Sequence, residues 1–192
     1  MSAPRRTAPA ANLARTVVFA AFIAVLGIVP GFYLGGAAVP IVLQNTGPLL
    51  AGSILGARRG GASVLLFVVL VAIGLPLLSG GRGGIAPFVG PSGGFVLGWV
   101  LSAVVAGLVV ERARKPGLPV LLLAGAAGVA ADYLIGIPYW GVMIGDLGAA
   151  AVQSLVFVPG DVVKLVAVSL VAAAVHRAVP SALPVRRAPA EG

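Results

Sequence analysis

Two ionisable residues, Asp161 and Lys164, interrupt an otherwise apolar run in the stretch FVPGDVVK at 157–164. An ionised side chain deep in hydrocarbon costs about 2.5–3.5 kcal/mol even on insertion scales, so such residues face a partner or a water-filled cavity. Pro159 and Gly160 precede the pair, which suits a helix starting here, with Asp161 in its first turn and Lys164 on the same face. The third candidate is Arg82, inside the glycine-rich stretch LSGGRGGIAPFVGPSGGFVLGW at 78–99. A guanidinium fork suits a carboxylate through two parallel charge-assisted hydrogen bonds. A carboxylate accepts N–H bonds, and an ammonium donates to a carbonyl oxygen. The set favours a small, mostly apolar molecule with a carboxylate at one end and a head group, such as a cyclic urea, that offers both N–H and C=O.

Catalysis on such a ligand is not expected. The chain shows no nucleophile and base pair and no GxxxxGK phosphate loop, so no catalytic residue and no cofactor is assigned. With no Cys there is no disulfide and no thiolate ligand, and the lone His176 does not make a metal site with the few carboxylates present.

The elements that must hold these residues are membrane helices. Of 192 residues, 59% are hydrophobic and 9% charged, and the mean hydropathy is +1.10, far outside the range of soluble domains. Apolar segments at about 14–30, 37–56, 61–79, 93–111, 117–137 and 159–177 each approach the roughly 20 residues that span a bilayer as helix. They predict an all-α, six-span integral membrane protein forming a single membrane domain over 1–192, with 1–12 and 178–192 as disordered tails. The lead-in lacks a cleavage site and is not expected to be a cleaved signal.

The net charge of +8 comes from small basic groups between apolar runs, which points to topology rather than to nucleic acid. Arg5, Arg6 and Arg15 precede the first segment, and Arg58 with Arg59 joins the second to the third. Arg112, Arg114 and Lys115 join the fourth to the fifth, and Arg177, Arg186 and Arg187 follow the sixth. Because Lys and Arg are retained inside, both termini are expected to be cytoplasmic. Arg82 breaks this alternation, so its loop must lie outside or fold back into the protein. There it reaches the level of Asp161 and Lys164, and it is expected to line or cover an outward-facing pocket. Its glycines permit tight turns, and Pro87 and Pro91 limit its freedom.

Other polar residues carry weaker signals. Gln44, Asn45 and Thr46 interrupt the second segment between Pro40 and Pro48, a break tolerated where protein or a cavity satisfies the freed backbone. In DYLIGIPYW, Asp132 lies deep and should have a partner: Arg82, Lys164 or a neighbouring helix. Tyr139 and Trp140 fall toward the outer side, where Trp140 suits either an interfacial belt or pocket lining. Asp146 is expected to be a turn residue, and Glu111 and His176 to be structural at inner helix ends. Ala20 and Ala24 form a small-xxx-small pair, fit either for internal packing or for a partner helix.

Together, VPIVLQNTGPLLAG, GGRGGIAPFVGPSGGFVLGW and VFVPGDVVKLVAV resemble the BioY family, the biotin-specific substrate-binding (S) components of energy-coupling factor (ECF) transporters. The resemblance runs from about Val17 to Val175; PSGG at 91–94 replaces the PTGG of many members and keeps the hydroxyl. It implies a protein of the bacterial plasma membrane that captures biotin from outside, working with a transmembrane coupling subunit and two cytoplasmic ATPases, or without them as a homo-oligomer. Carried onto this chain, Arg82 would hold the biotin carboxylate, and Asp161 and Lys164 the ureido ring. Gln44 and Tyr139 would be further contacts, Asn45, Asp132 and Trp140 would stand behind them, and Ala20 and Ala24 would dock on the coupling subunit. The competing expectations are a self-sufficient transporter using Asp132 or Asp161 to couple protons, and an S component for another carboxylated vitamin.

Overall fold

The computed structural model describes residues 9–33, 39–113, 116–180 and 184. Its helices are α1 (Pro9–Leu26), α2 (Thr46–Leu55), α3 (Ala57–Ala72), α4 (Ala86–Val89), α5 (Gly93–Arg112), α6 (Leu118–Ile144), α7 (Leu147–Ser154) and α8 (Val158–Ala178). Among the described residues, extended pairing is confined to two isolated antiparallel bridges, Phe32 with Ile41 and Leu78 with Arg82. Helices α5, α6 and α8 are long and apolar enough to cross a membrane. Large apolar side chains on these helices, among them Leu123, Leu134, Val163 and Leu170, are exposed. Lipid is the solvent that suits such a surface, and the chain is a multi-pass helical membrane protein.

The segments expected at 93–111 and 159–177 match α5 and α8 to within one residue at each end. The segment at 117–137 continues to Ile144 as α6, through Pro138, and stops where Gly145 takes the left-handed φ of 72°. The segment at 61–79 shifts back: α3 starts at Ala57 and ends at Ala72, before Gly74 with φ 112°. Helix α1 begins at Pro9 and so takes residues 9–12 out of the expected lead-in. Arg5, Arg6, Arg114, Lys115, Arg186 and Arg187 lie outside the described residues.

The largest departure is in the second segment, expected to be helical over 37–56 but helical only from Thr46. At about 1.5 Å per residue, α2 falls well short of the bilayer core. The chain ahead of it is irregular, with Phe32 and Ile41 exchanging backbone hydrogen bonds of 3.1 and 2.8 Å. Irregular backbone at membrane depth is stable only when enclosed by protein. That condition is met: every residue of α2 is buried, and the helix touches α1, α3, α5, α6 and α8.

Close backbone approach sets this central packing. A Cβ on Gly52 of α2 would strike the carbonyl oxygen of Ala103 in α5, and one on Gly107 of α5 would strike the backbone of Ala57. At the same end of the bundle, Glu111 accepts a 2.8 Å hydrogen bond from Ala57 N, tying the start of α3 to the end of α5. His176 is buried at the matching end of α8. Glu111 thus has the structural role expected of it, and both residues lie far along the helices from Asp161. Asp146 caps α7 by accepting from Ala149 N at 2.9 Å.

Candidate functional site

The opposite end of the bundle holds a cavity, partly open to solvent. Its wall is assembled from the irregular 39–45 stretch, the loop between α3 and α5, and the facing ends of α5, α6 and α8. Asp161, Lys164 and Arg82 all line it, so the three charges singled out from sequence share one chamber.

Asp161 sits in the first turn of α8, where the helix N-terminus favours a carboxylate. Lys164, one turn on, donates to Asp161 Oδ1 at 3.0 Å, as the three-residue spacing predicts. Asn45 completes the cluster: its Nδ2 donates to Asp161 Oδ1 at 3.1 Å, and its Oδ1 accepts from Lys164 Nζ at 3.0 Å. From α6 the Tyr133 hydroxyl donates to Asp161 Oδ2 at 2.6 Å. Asp161 is 4% exposed, and a buried ion pair is tolerable only with such a complement of hydrogen bonds. Asn45, expected to stand behind the site, is thus in the charged cluster itself. It directly precedes α2 but makes no capping bond with its side chain, leaving it free for α8.

Arg82 is presented by a tight turn. Leu78 and Arg82 exchange backbone hydrogen bonds of 3.0 and 3.2 Å, and Gly80 and Gly81 between them adopt φ of 80° and 69°, which side chains disfavour. Arg82 Nε donates to Ser79 O at 3.1 Å and one Nη to Ser92 Oγ at 3.4 Å. Among the described residues no carboxylate pairs with it, and it lines the cavity. Ser92 is the hydroxyl of the PSGG stretch. The apolar wall includes Phe95, Trp99 and Phe157, and Phe95 meets Tyr133 and Phe157 edge-on at centroid distances of 6.2 and 6.0 Å.

The remaining candidates take the following places. Gln44 borders the cavity but is 0% exposed, and three of the four hydrogen-bonding positions of its amide are filled. Nε2 donates to Ile23 O at 2.9 Å and Leu77 O at 2.8 Å, while Oε1 accepts from Ser79 N at 3.0 Å. It fastens α1 and the Arg82 turn to the 39–45 stretch and has little left for a ligand. Tyr139 is not in the cavity wall; its hydroxyl donates to the Phe88 carbonyl and anchors α4. Trp140 is 0% exposed and outside the cavity wall, packed behind the lining residues Phe95 and Phe157. Ala20, 3% exposed, faces the cluster holding Val64 and Phe67 of α3, and Ala24 is partly buried against the same cluster. Small residues let helices approach closely, and here the helix that approaches is α3 of the same chain. Asp132 lines the cavity at 7% exposure, yet its Oδ1 lacks the expected partner.

Sequence reasoning did not assign Tyr133 or Ser92 to the site. Tyr133 carried a usable signal, since it lies beside Asp132 in a span otherwise apolar. Ser92 carried one as the conserved-chemistry hydroxyl within PSGG, ten residues after Arg82.

The fold and site define a helical membrane protein with a buried, charge-lined chamber for a small molecule at one end of its bundle. The BioY family model matches residues 2–181, and the chain belongs to the BioY family. A protein of Rhodobacter capsulatus named biotin transporter BioY is 46% identical over 186 residues, covering 90% of this chain and 96% of that one. One of the same name from Rhizobium etli is 44% identical over 172 residues, covering 85% and 92%. The crystal structure of the S-component for biotin from an ECF-type ABC transporter superposes with a TM-score of 0.81 at 31% identity, covering 92% of this chain and 95% of that one.

Proposed function

We propose that this chain takes up biotin as the S component of an ECF-type transporter, capturing the vitamin in the chamber bounded by Arg82, Asp161 and Lys164. The observation that carries the reading is the match between free hydrogen-bonding capacity and the ligand's two ends. Two donors of the Lys164 ammonium are engaged by Asn45 and Asp161, which leaves one for the ureido carbonyl oxygen. Asp161 accepts from Asn45, Lys164 and Tyr133, so of about four acceptor positions on a carboxylate one stays open for a ureido N–H. Arg82, with no carboxylate of its own, takes the biotin carboxylate. Phe95, Trp99 and Phe157 cover the apolar body between.

In this reading the chain is a single six-span domain of a bacterial plasma membrane, with both termini cytoplasmic and the chamber facing outward. Arg58, Arg59, Arg112 and Arg177 support it, because they lie at the bundle end away from the chamber. The loop between α3 and α5 covers the bound ligand and opens to release it. ATP is hydrolysed by a pair of cytoplasmic partners, and a transmembrane coupling subunit transmits the work.

The test is equilibrium binding of labelled biotin to the purified protein in detergent. Saturable binding that is displaced by desthiobiotin, and not by an unrelated vitamin, is expected. Absence of binding by demonstrably folded protein refutes the reading.

A further inference from the structure

Asp132 is the one chamber group the proposed function leaves idle. It projects from α6 into the same cavity as Asp161 and Lys164, is 7% exposed, and its Oδ1 has no hydrogen-bond partner. The facing helix is shaped around it. A Cβ on Gly98 of α5 would collide with Asp132 Oδ1, so glycine there leaves room for the carboxylate. A buried acceptor without a donor costs free energy in the empty protein. Such a group persists most readily where a ligand supplies the missing donor.

A donor count identifies that ligand group. A cyclic urea presents two N–H groups that diverge from the two sides of its carbonyl. Asp161 has three of its acceptor positions filled by Asn45, Lys164 and Tyr133, so it can receive one N–H and not both. The second must end on another acceptor or be buried unpaired. Gln44 Oε1 already accepts from Ser79 N and Asn45 Oδ1 from Lys164, so each keeps at most one position, whereas Asp132 Oδ1 is wholly unpartnered.

We infer that Asp132 is a specificity-determining ligand contact, accepting the second ureido N–H so that the ring is held between two carboxylates from different helices. The inference rests on the biotin reading of the chamber. It explains why an acidic side chain is retained on a membrane helix with no cation among the described residues bonded to it, and why α5 carries no side chain opposite. It also makes the chamber selective for the intact urea: a head group lacking either N–H leaves one buried carboxylate unanswered.

The experiment compares three ligands on the full chain in detergent: biotin, and biotin methylated on one or the other ureido nitrogen. On the unsubstituted protein both methylated forms bind more weakly than biotin. Asp132→Ala, which orphans no donor among the described residues, weakens biotin binding on the order of tenfold, the range for one buried hydrogen bond. The penalty vanishes for the form methylated on the nitrogen facing Asp132 and persists for the other. Asp132→Asn, retaining an acceptor without the charge, shows the same selectivity with a smaller loss. The inference is overturned if Asp132→Ala binds biotin as the unsubstituted protein does, or loses affinity equally for all three ligands. It is also overturned if the unsubstituted protein tolerates methylation at one nitrogen, which decides the matter should the variants not fold. If the unsubstituted protein fails to bind biotin at all, the transport reading itself is what falls.

Discussion

Gln44→Leu separates a structural fastener from a ligand contact. Leucine has a similar volume, so the packing around this fully buried side chain is largely kept. What is lost is the set of bonds to Ile23 O, Leu77 O and Ser79 N, at 2.9, 2.8 and 3.0 Å. Each buried hydrogen bond contributes about 0.5–1.5 kcal/mol net, so the three together give about 3 kcal/mol. In a chain of this length a loss of 1 kcal/mol lowers the unfolding midpoint by about 2–4 °C, and the variant should melt about 6–12 °C early. Gln44→Glu should be at least as damaging, because a carboxylate oxygen would then face two carbonyl oxygens. The assay is thermal unfolding of the purified protein in detergent without ligand, followed by any intrinsic or dye signal. A variant that keeps its midpoint while biotin binding collapses would refute the reasoning and place Gln44 on the ligand.

The other predictions concern single contacts. Tyr133→Phe removes the 2.6 Å bond onto the Asp161 carboxylate and should weaken biotin on the order of tenfold, measured by equilibrium dialysis. Tyr139→Phe frees α4 from its bond to the Phe88 carbonyl; loss of about 1 kcal/mol of loop anchoring should raise the biotin dissociation rate about fivefold, read by chase with unlabelled vitamin. Gly52→Ala forces a methyl group against Ala103 of α5 and should destabilise by about 1–3 kcal/mol, seen as a lower midpoint and lower folded yield with no change in ligand selectivity.

Much of this was readable before any coordinates, for identifiable reasons. Asp161 and Lys164 were legible because charge in an apolar span is expensive and helical spacing alone puts them on one face. Arg82 was legible because it breaks the alternation of basic loops. The short α2 was half legible: the polar break at 44–46 marked the site of irregular backbone, but not that helix would begin only after it. Tertiary placement was beyond reach. Asn45 meets Asp161 across 116 residues of sequence, and nothing local to QNT distinguishes the side chain that turns to α8 from the one that turns to the loop. Tyr139 and Trp140 look alike as polar-tipped aromatics near a helix end, yet one anchors α4 and the other supports the aromatic wall. The Ala20 and Ala24 pair correctly signalled close helix approach, while the identity of the approaching helix depended on which face of α1 met α3.

The central claim is that the chamber grips biotin by its two ends, with Arg82 on the carboxylate. The most direct measurement is binding of biotin and of biotin methyl ester to the unsubstituted protein and to Arg82→Ala. The unsubstituted protein should prefer biotin over the ester by about 10- to 100-fold, the difference expected for a charge-assisted pair, and Arg82→Ala should bind the two alike. Equal binding of acid and ester by the unsubstituted protein, or an undiminished preference in Arg82→Ala, would contradict the account.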